Sequence, residues 1–172
     1  MRISHKHKFV YIAVPKTASF TMRECLNPYS DIALKLIHGG DAHAKIHEVR
    51  DEYFKNEESK FTNYFKFAFV RNPWDLQVSR FHYHFKDYPE KSFKECFMDG
   101  DAVPTVQSDW LTINGEYCIN FIGKYENLQQ DFNVICDKIK IPKQKLPRKN
   151  ASKHKHYTEY YDEETKQIVA EK

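Results

Sequence analysis

The stretch "FVYIAVPKTASFTMREC", residues 9 to 25, decides the fold. Phe9 to Val14 is a continuous apolar and aromatic run, the pattern of a strand buried on both faces. It ends at Pro15, which cannot donate to a sheet ladder. A helix is expected over about Ser19 to Leu26, so the unit reads strand, loop, helix. Between the two, "PKTASFT" (15–21) supplies a lysine, hydroxyls at Thr17, Ser19 and Thr21, and the N–H groups of a helix start. That set suits an anion. The loop contains no glycine, and its lysine stands at the front. A Walker loop, GxxxxGK[ST], carries the lysine at the end of a longer glycine-rich segment, so a triphosphate cradle is disfavoured. Taken alone, the loop fits equally well a solvated Lys16 with Ser19 as an ordinary N-cap.

Two further units repeat the order. In "NYFKFAFVRNPWDLQVSRFHYHF" (63–85), Phe65 to Val70 reads as a strand, and Asn72 and Pro73 are an N-cap and an N1 proline for the helix behind it. In "YCINFIGKYENLQQDFNVICDKI" (117–139), Ile119 to Tyr125 is strand-like. Asn127 is a candidate cap for a helix that turns Leu128, Phe132, Ile135 and Ile139 inward at helical spacing. Between the first two units, "HAKIHEVRDEYF" (43–54) is helical in pattern, with Ile46, Val49 and Phe54 toward the core. The segment from Lys138 to His156 is basic and interrupted by proline, and "DEETKQIVAEK" (162–172) reads as a last helix opened by acidic residues. Strands alternating with helices predict an α/β domain with a mainly parallel sheet, its ligands at the carboxyl ends of the strands.

The remaining bounds are compositional. A length of 172 residues fits one domain and is short for two. With 41% hydrophobic and 30% charged residues and only 5 Gly and 7 Pro, the chain is neither disordered nor fibrous. A formal charge of +3 is too small to argue for nucleic acid. Cys25, Cys96, Cys118 and Cys136 show no CxxC spacing and no neighbouring His pair, so free thiols are expected. No apolar run has the length of a bilayer span, and "MRISHKHKFVYIAV" (1–14) reads as a basic lead into a strand. A cytoplasmic location fits these features, with the soluble portion of a Golgi-lumen enzyme as the alternative.

The second loop strengthens the case for an anion. Arg71 stands at a strand end and Ser79 about two turns into the next helix, where a guanidinium and a hydroxyl can meet one phosphate. Asn72 to Asp75 are explained by capping and Trp74 by the core.

Together, "VPKTASFT" (14–21) and "FAFVRNPWDLQVSRF" (67–81) resemble the two cofactor loops of the carbohydrate sulfotransferases of the sulfotransferase family 2 type. The likeness continues in order through "QSDWL" (107–111), "FIGKYENLQQDF" (121–132) and "LPRKNASKHKHYTEYYDEET" (146–165). The resemblance implies a three-layer, P-loop-like α/β fold with a mainly parallel central sheet flanked by helices. It implies transfer of a sulfuryl group from 3'-phosphoadenosine 5'-phosphosulfate (PAPS) to an acceptor hydroxyl, with a glycan as the acceptor class and no metal. Lys16, Thr17, Ala18, Ser19, Phe20 and Thr21 would then surround the 5'-phosphosulfate, and Arg71 and Ser79 would hold the 3'-phosphate. This sequence departs from many relatives at Ser19, where they have Gly, and at Phe20, where they have Thr or Ser.

In the same family a catalytic histidine lies between the two loops, ahead of a helix. His43 matches that place, with His38 and His47 next in rank. Lys16 would stabilise the charge that develops in transfer, and His43 would act as the base. A late basic loop closes over the nucleotide in relatives, which points to Lys153 and Lys155 within the run Lys143, Lys145, Arg148, Lys149, Lys153 and Lys155. Such a run also fits a solvated face. Glu126 reads as structural, and "FHYHFKDYP" (81–89) suits either an acceptor cleft or core packing. Two other classes stay open at this point. One is a catalytically silent polyanion-binding module on the same fold. The other is a small nucleotide kinase, against which the front-placed lysine and the arginine loop argue.

Overall fold

The run that begins at Phe9 forms a central strand. The protein's structure, a computed structural model, describes residues 1–32, 43–85, 90–99, 104–147 and 155–171. In chain order, β1 (Arg2–Ser4) and β2 (Phe9–Ile12) lead into α1 (Ser19–Leu26), α2 (Ile46–Tyr53), α3 (Glu58–Asn63) and β3 (Phe65–Val70). Then come α4 (Pro73–His84), α5 (Phe93–Met98), the short β4 (Thr112–Ile113) and β5 (Glu116–Tyr117), and β6 (Phe121–Lys124). Two helices follow, α6 (Leu128–Ile139) and α7 (Glu163–Ala170). The chain packs as two compact units, Met1–Val70 with Gln107–Lys149, and Arg71–Val106 with Asn150–Lys172.

The first unit holds a four-stranded sheet in the order β1-β2-β3-β6. As expected from the strand–helix alternation, β2, β3 and β6 run parallel. β1 is antiparallel to β2, with Arg2 opposite Tyr11, where the sequence pattern showed only a basic lead. Three residues are too few for a periodicity to register. The turn between them is held by the Asp31 carboxylate, which accepts the backbone N–H of His5.

Both faces of β2 are covered, which is why the strand is apolar throughout. Phe9, Tyr11 and Ala13 pack with Met22 and Leu26 of α1 and with Phe132 and Ile135 of α6. Val10, Ile12 and Val14 pack on the other side with Ile46 and Val49 of α2 and with Phe54. Each fully buried Phe, Leu or Ile contributes about 1.5–3 kcal/mol relative to leaving it exposed. On β6, Gly123 lies opposite Phe69 of β3, and a Cβ there would stand 2.5 Å from a carbon of the buried Phe69 ring. Lys66 is the charged residue of β3. It is buried, and its Nζ donates to the carbonyls of Phe61 (2.8 Å), Thr62 (3.2 Å) and Tyr64 (2.9 Å), closing the C-terminal end of α3. Burial lowers its pKa.

Two local expectations change. Asn127 does not cap α6 with its side chain; a 3-10 turn, Tyr125–Asn127, runs into the helix instead. The Asp131 carboxylate reaches back to accept the N–H of Lys124 at 2.7 Å. β6 is also shorter than the expected 119–125. β4 and β5 form a hairpin across Asn114 (φ 53) and Gly115 (φ 83), both left-handed, as a type I′ turn requires.

In the second unit, Asn72 caps α4 as expected, its side chain accepting from Trp74 N (3.0 Å) and Asp75 N (3.3 Å), with Pro73 behind it. Asp162 caps α7 through Thr165. The core joins Val78 of α4, Phe93 and Phe97 of α5 and Val169 of α7, with Tyr160 and Tyr161 against it. Tyr161 Oη donates to Trp74 O at 2.8 Å, and Lys94 pairs with Asp162 and Glu164. The four cysteines are free thiols. Among the described residues, no helix is long and apolar enough to cross a membrane.

Candidate active site

The loop after β2 is built without glycine where glycine is usual. Lys16 (φ 64) and Ala18 (φ 60) both take the left-handed conformation, which costs a residue with a side chain roughly 1–3 kcal/mol. Such strain persists where the surrounding structure fixes it. Here Thr17, fully buried between them, ties the turn by donating Oγ1 to Val14 O at 2.9 Å. Alternating left-handed positions turn backbone N–H groups toward one side, a shape that holds anions. The N-cap of α1 is Ala18 and not Ser19, so the cap residue has no side-chain acceptor for the helix end. Ser19 is 7% exposed and its hydroxyl bonds to no described residue. Thr21 is also buried, and its Oγ1 donates to Pro147 O at 3.4 Å. Phe20 is the exposed member of the turn.

His43 belongs to the same unit. Its Nδ1 lies 2.6 Å from Ala13 O, at the end of the strand that feeds the loop. A carbonyl only accepts, so Nδ1 carries the proton and Nε2 keeps its lone pair. Among the described residues Nε2 has no partner. Burial lowers the His43 pKa, and the charges of Arg23 and Lys16 push the same way against the pull of the Ala13 carbonyl. The imidazole is therefore neutral near pH 7, with one nitrogen anchored and the other available to take a proton. His47 is half-buried on α2, and His38 lies outside the described residues.

The second unit carries Arg71 and Ser79. Arg71 is buried and its Nε lies 2.7 Å from Asp75 Oδ2. Ser79 is 5% exposed, and its hydroxyl bonds to no described residue. Gln77, buried on the same helix, has an Nε2 with no partner among the described residues. Sequence reasoning missed Asp75 as a partner of Arg71, although the spacing of four residues is one at which opposite charges meet. It also missed Gln77, for which no pattern stood out. Lys155 is exposed and 3.8 Å from Glu159; Arg148, Lys149 and Lys153 lie outside the described residues. Among the described residues, no group of three His, Cys, Asp or Glu side chains gathers as a metal site would.

Comparison with known proteins follows the same lines. The model of the sulfotransferase family matches residues 1–172. An uncharacterized protein of Archaeoglobus fulgidus is 33% identical over 102 residues, which cover 56% of this chain and 85% of that protein. No solved structure gives a significant match.

Proposed function

Because the chain belongs to the sulfotransferase family, we propose that it moves a sulfuryl group from 3'-phosphoadenosine 5'-phosphosulfate to an acceptor hydroxyl. By the resemblance of its loops the acceptor is a carbohydrate, and the 172 residues act as one catalytic domain of P-loop-like type. The observation that carries the reading is His43: it is neutral, fixed through Nδ1 to Ala13 O at 2.6 Å, with Nε2 unpartnered among the described residues, next to the strand end that leads into the loop of Lys16.

In the proposed reaction the acceptor oxygen attacks sulfur as the bond from sulfur to the phosphate oxygen breaks. The acceptor proton passes to His43 Nε2, and 3',5'-phosphoadenosine leaves with the electron pair of the broken bond. Transfer of this kind runs through a loose state with charge building on the bridging oxygen, and a fixed cation and helix N–H groups stabilise it without reorganising. Lys16 and the first turn of α1 have that character, and the strained backbone of Lys16 and Ala18 supports a loop shaped for a ligand. Thr17, Ser19, Phe20 and Thr21 complete the set around the 5'-phosphosulfate. Arg71 and Ser79 take the 3'-phosphate, a role supported by the oriented guanidinium of Arg71 and by the hydroxyl of Ser79, which has no partner among the described residues. By the resemblance, Lys153 and Lys155 would touch the adenosine phosphates. The reading assigns no metal.

The test has two arms. In thermal melting, 3',5'-phosphoadenosine should stabilise the chain far more than ADP or AMP at equal concentration, by mass action on the native state. With sulfur-labelled donor and a panel of hydroxyl acceptors, label should pass to at least one glycan. Equal stabilisation by ADP would overturn the donor, and a nucleotide preference without turnover on any acceptor would identify a binding module instead.

A further inference from the structure

His43 is held at two points, and the second is a residue that the reaction does not use. Its backbone carbonyl accepts the indole N–H of Trp110 at 2.7 Å, while its Nδ1 is held by Ala13 O at 2.6 Å. The two anchors come from places 30 and 67 residues away in the chain, the end of β2 and the 3-10 turn Gln107–Trp110. One bond fixes the ring and the other the main chain that carries it, so the direction of Nε2 is set only when both are made. Trp110 can act as a rigid post. Its ring packs against the core cluster of β2 and α2, Leu111 beside it is fully packed in that cluster, and the Lys45 ammonium lies 5.5 Å from the ring centre. The indole is partly buried, and the acceptor of its N–H is the main chain of the histidine.

We propose that Trp110 is a positioning residue for sulfuryl transfer: its N–H, by holding the His43 carbonyl, keeps Nε2 aimed and the imidazole out of water. The inference rests on the reading of His43 as the base. It extends that reading to a residue 67 positions away that never meets the substrate. The charged groups that act on His43 are Arg23 of α1 and Lys16 of the loop, with Lys45 over the post itself, while burial lowers the Met1 amine beside β1 to about 4 and leaves it neutral in the range tested. Trp110→Phe leaves Arg23 and Lys16 in place but changes the ring under Lys45, whereas benzothienylalanine keeps a bicyclic ring there and removes the N–H.

The experiment uses Trp110→Phe in the full chain, with two readouts. The first is turnover with labelled donor from about pH 5 to about pH 8, the range in which a histidine changes charge. The second is NMR titration of the His43 ring without substrate, assigned by its loss in His43→Gln. A loosened histidine should lose roughly tenfold to a hundredfold in kcat while donor KM stays within about twofold, as misplacement of a reacting group does. Its ring should titrate at higher pH than in the parent, because water now reaches it, and the acid limb of kcat should move with it. Parent-like kcat and titration in Trp110→Phe would overturn the proposal. So would a lower kcat with an unmoved titration, which would make Trp110 merely structural. If Trp110→Phe does not fold, replacement of Trp110 by benzothienylalanine removes only the N–H, and the same outcomes decide. A failure of the underlying reading looks different: His43→Gln would then keep its turnover, whatever the Trp110 variants do to the titration.

Discussion

Asp75 Oδ2 stands 2.7 Å from Arg71 Nε, and both side chains are largely buried. The carboxylate fixes one edge of the guanidinium plane and so sets where its other N–H groups point. Arg71→Ala should abolish most of the preference for 3',5'-phosphoadenosine over ADP in thermal melting, a loss of roughly 1.5–3 kcal/mol for a charge-assisted bond. Asp75→Ala should abolish part of it with Arg71 still present, and Ser79→Ala should cost less than Arg71→Ala. A preference that survives Arg71→Ala would move the 3'-phosphate to the basic segment around Lys155.

Lys16→Ala should cripple turnover far more than it weakens binding of the nucleotide product, because a cation beside the transferring group matters most where charge develops. Steady-state kinetics with saturating donor, set beside melting shifts with 3',5'-phosphoadenosine, would check this. Near-parental kcat would remove Lys16 from the chemistry.

The pH response follows from the direction of the His43 shift. Its native pKa is lowered below the ordinary value of 6.5, so the unfolded chain binds a proton in a range where the native chain does not. Stability is therefore full above about 6.5 and falls as pH drops below it, levelling once the native ring is also protonated. Urea melts across this range should show the loss, and His43→Gln should flatten it. The same variant should lower kcat by roughly two to four orders of magnitude, as expected for a lost general base, with nucleotide shifts retained.

The left-handed backbone at Ala18 predicts an order of stabilities. Ala18→Gly should match or exceed the parent, since glycine takes φ near +60° without a side-chain clash. Ala18→Val should lose about 1–3 kcal/mol, because a β-branched residue fits that region worst. Chemical denaturation of the three proteins gives the ranking, and an equal or more stable Val variant would contradict the loop geometry.

At Gly123 an added methyl would press on the ring of Phe69, which is fully buried. Gly123→Ala should cost about 1–3 kcal/mol, the usual range for overpacking. Phe69→Leu in the same background should recover part of the loss, and the double-mutant cycle measures how much.

What could be read from the sequence was whatever one local pattern fully determines. Phe9 to Val14 read as a buried strand because the run is apolar throughout, although β2 ends at Ile12, and Phe65 to Val70 because Lys66 alone breaks its apolar pattern. Asn72 with Pro73 had to open a helix because both residues favour that single position. α6 showed itself through Phe132, Ile135 and Ile139. β1 escaped because three residues carry no period. The β4–β5 hairpin had its signal, Asn114-Gly115, and went unread beside the longer strand–helix pattern. The loop residues of the candidate site were legible as a motif, but their strained backbone was not, since composition says nothing about φ at Lys16 or Ala18. Least visible were partners distant in the chain. Ala13 and Trp110 become neighbours of His43 only through folding, and no spacing rule connects positions 30 and 67 residues apart.

Lys66 offers an internal probe of local opening. Its ammonium is committed to three carbonyls at the end of α3, and its side chain is closed off from solvent. Amine-directed acylating reagents, which need an exposed and deprotonated nitrogen, should modify the surface lysines within minutes and leave Lys66 untouched. Peptide mapping of its slow labelling would then time the opening of α3 from β3, a clock for local unfolding in the element that ends at Val70 and hands the chain to Arg71.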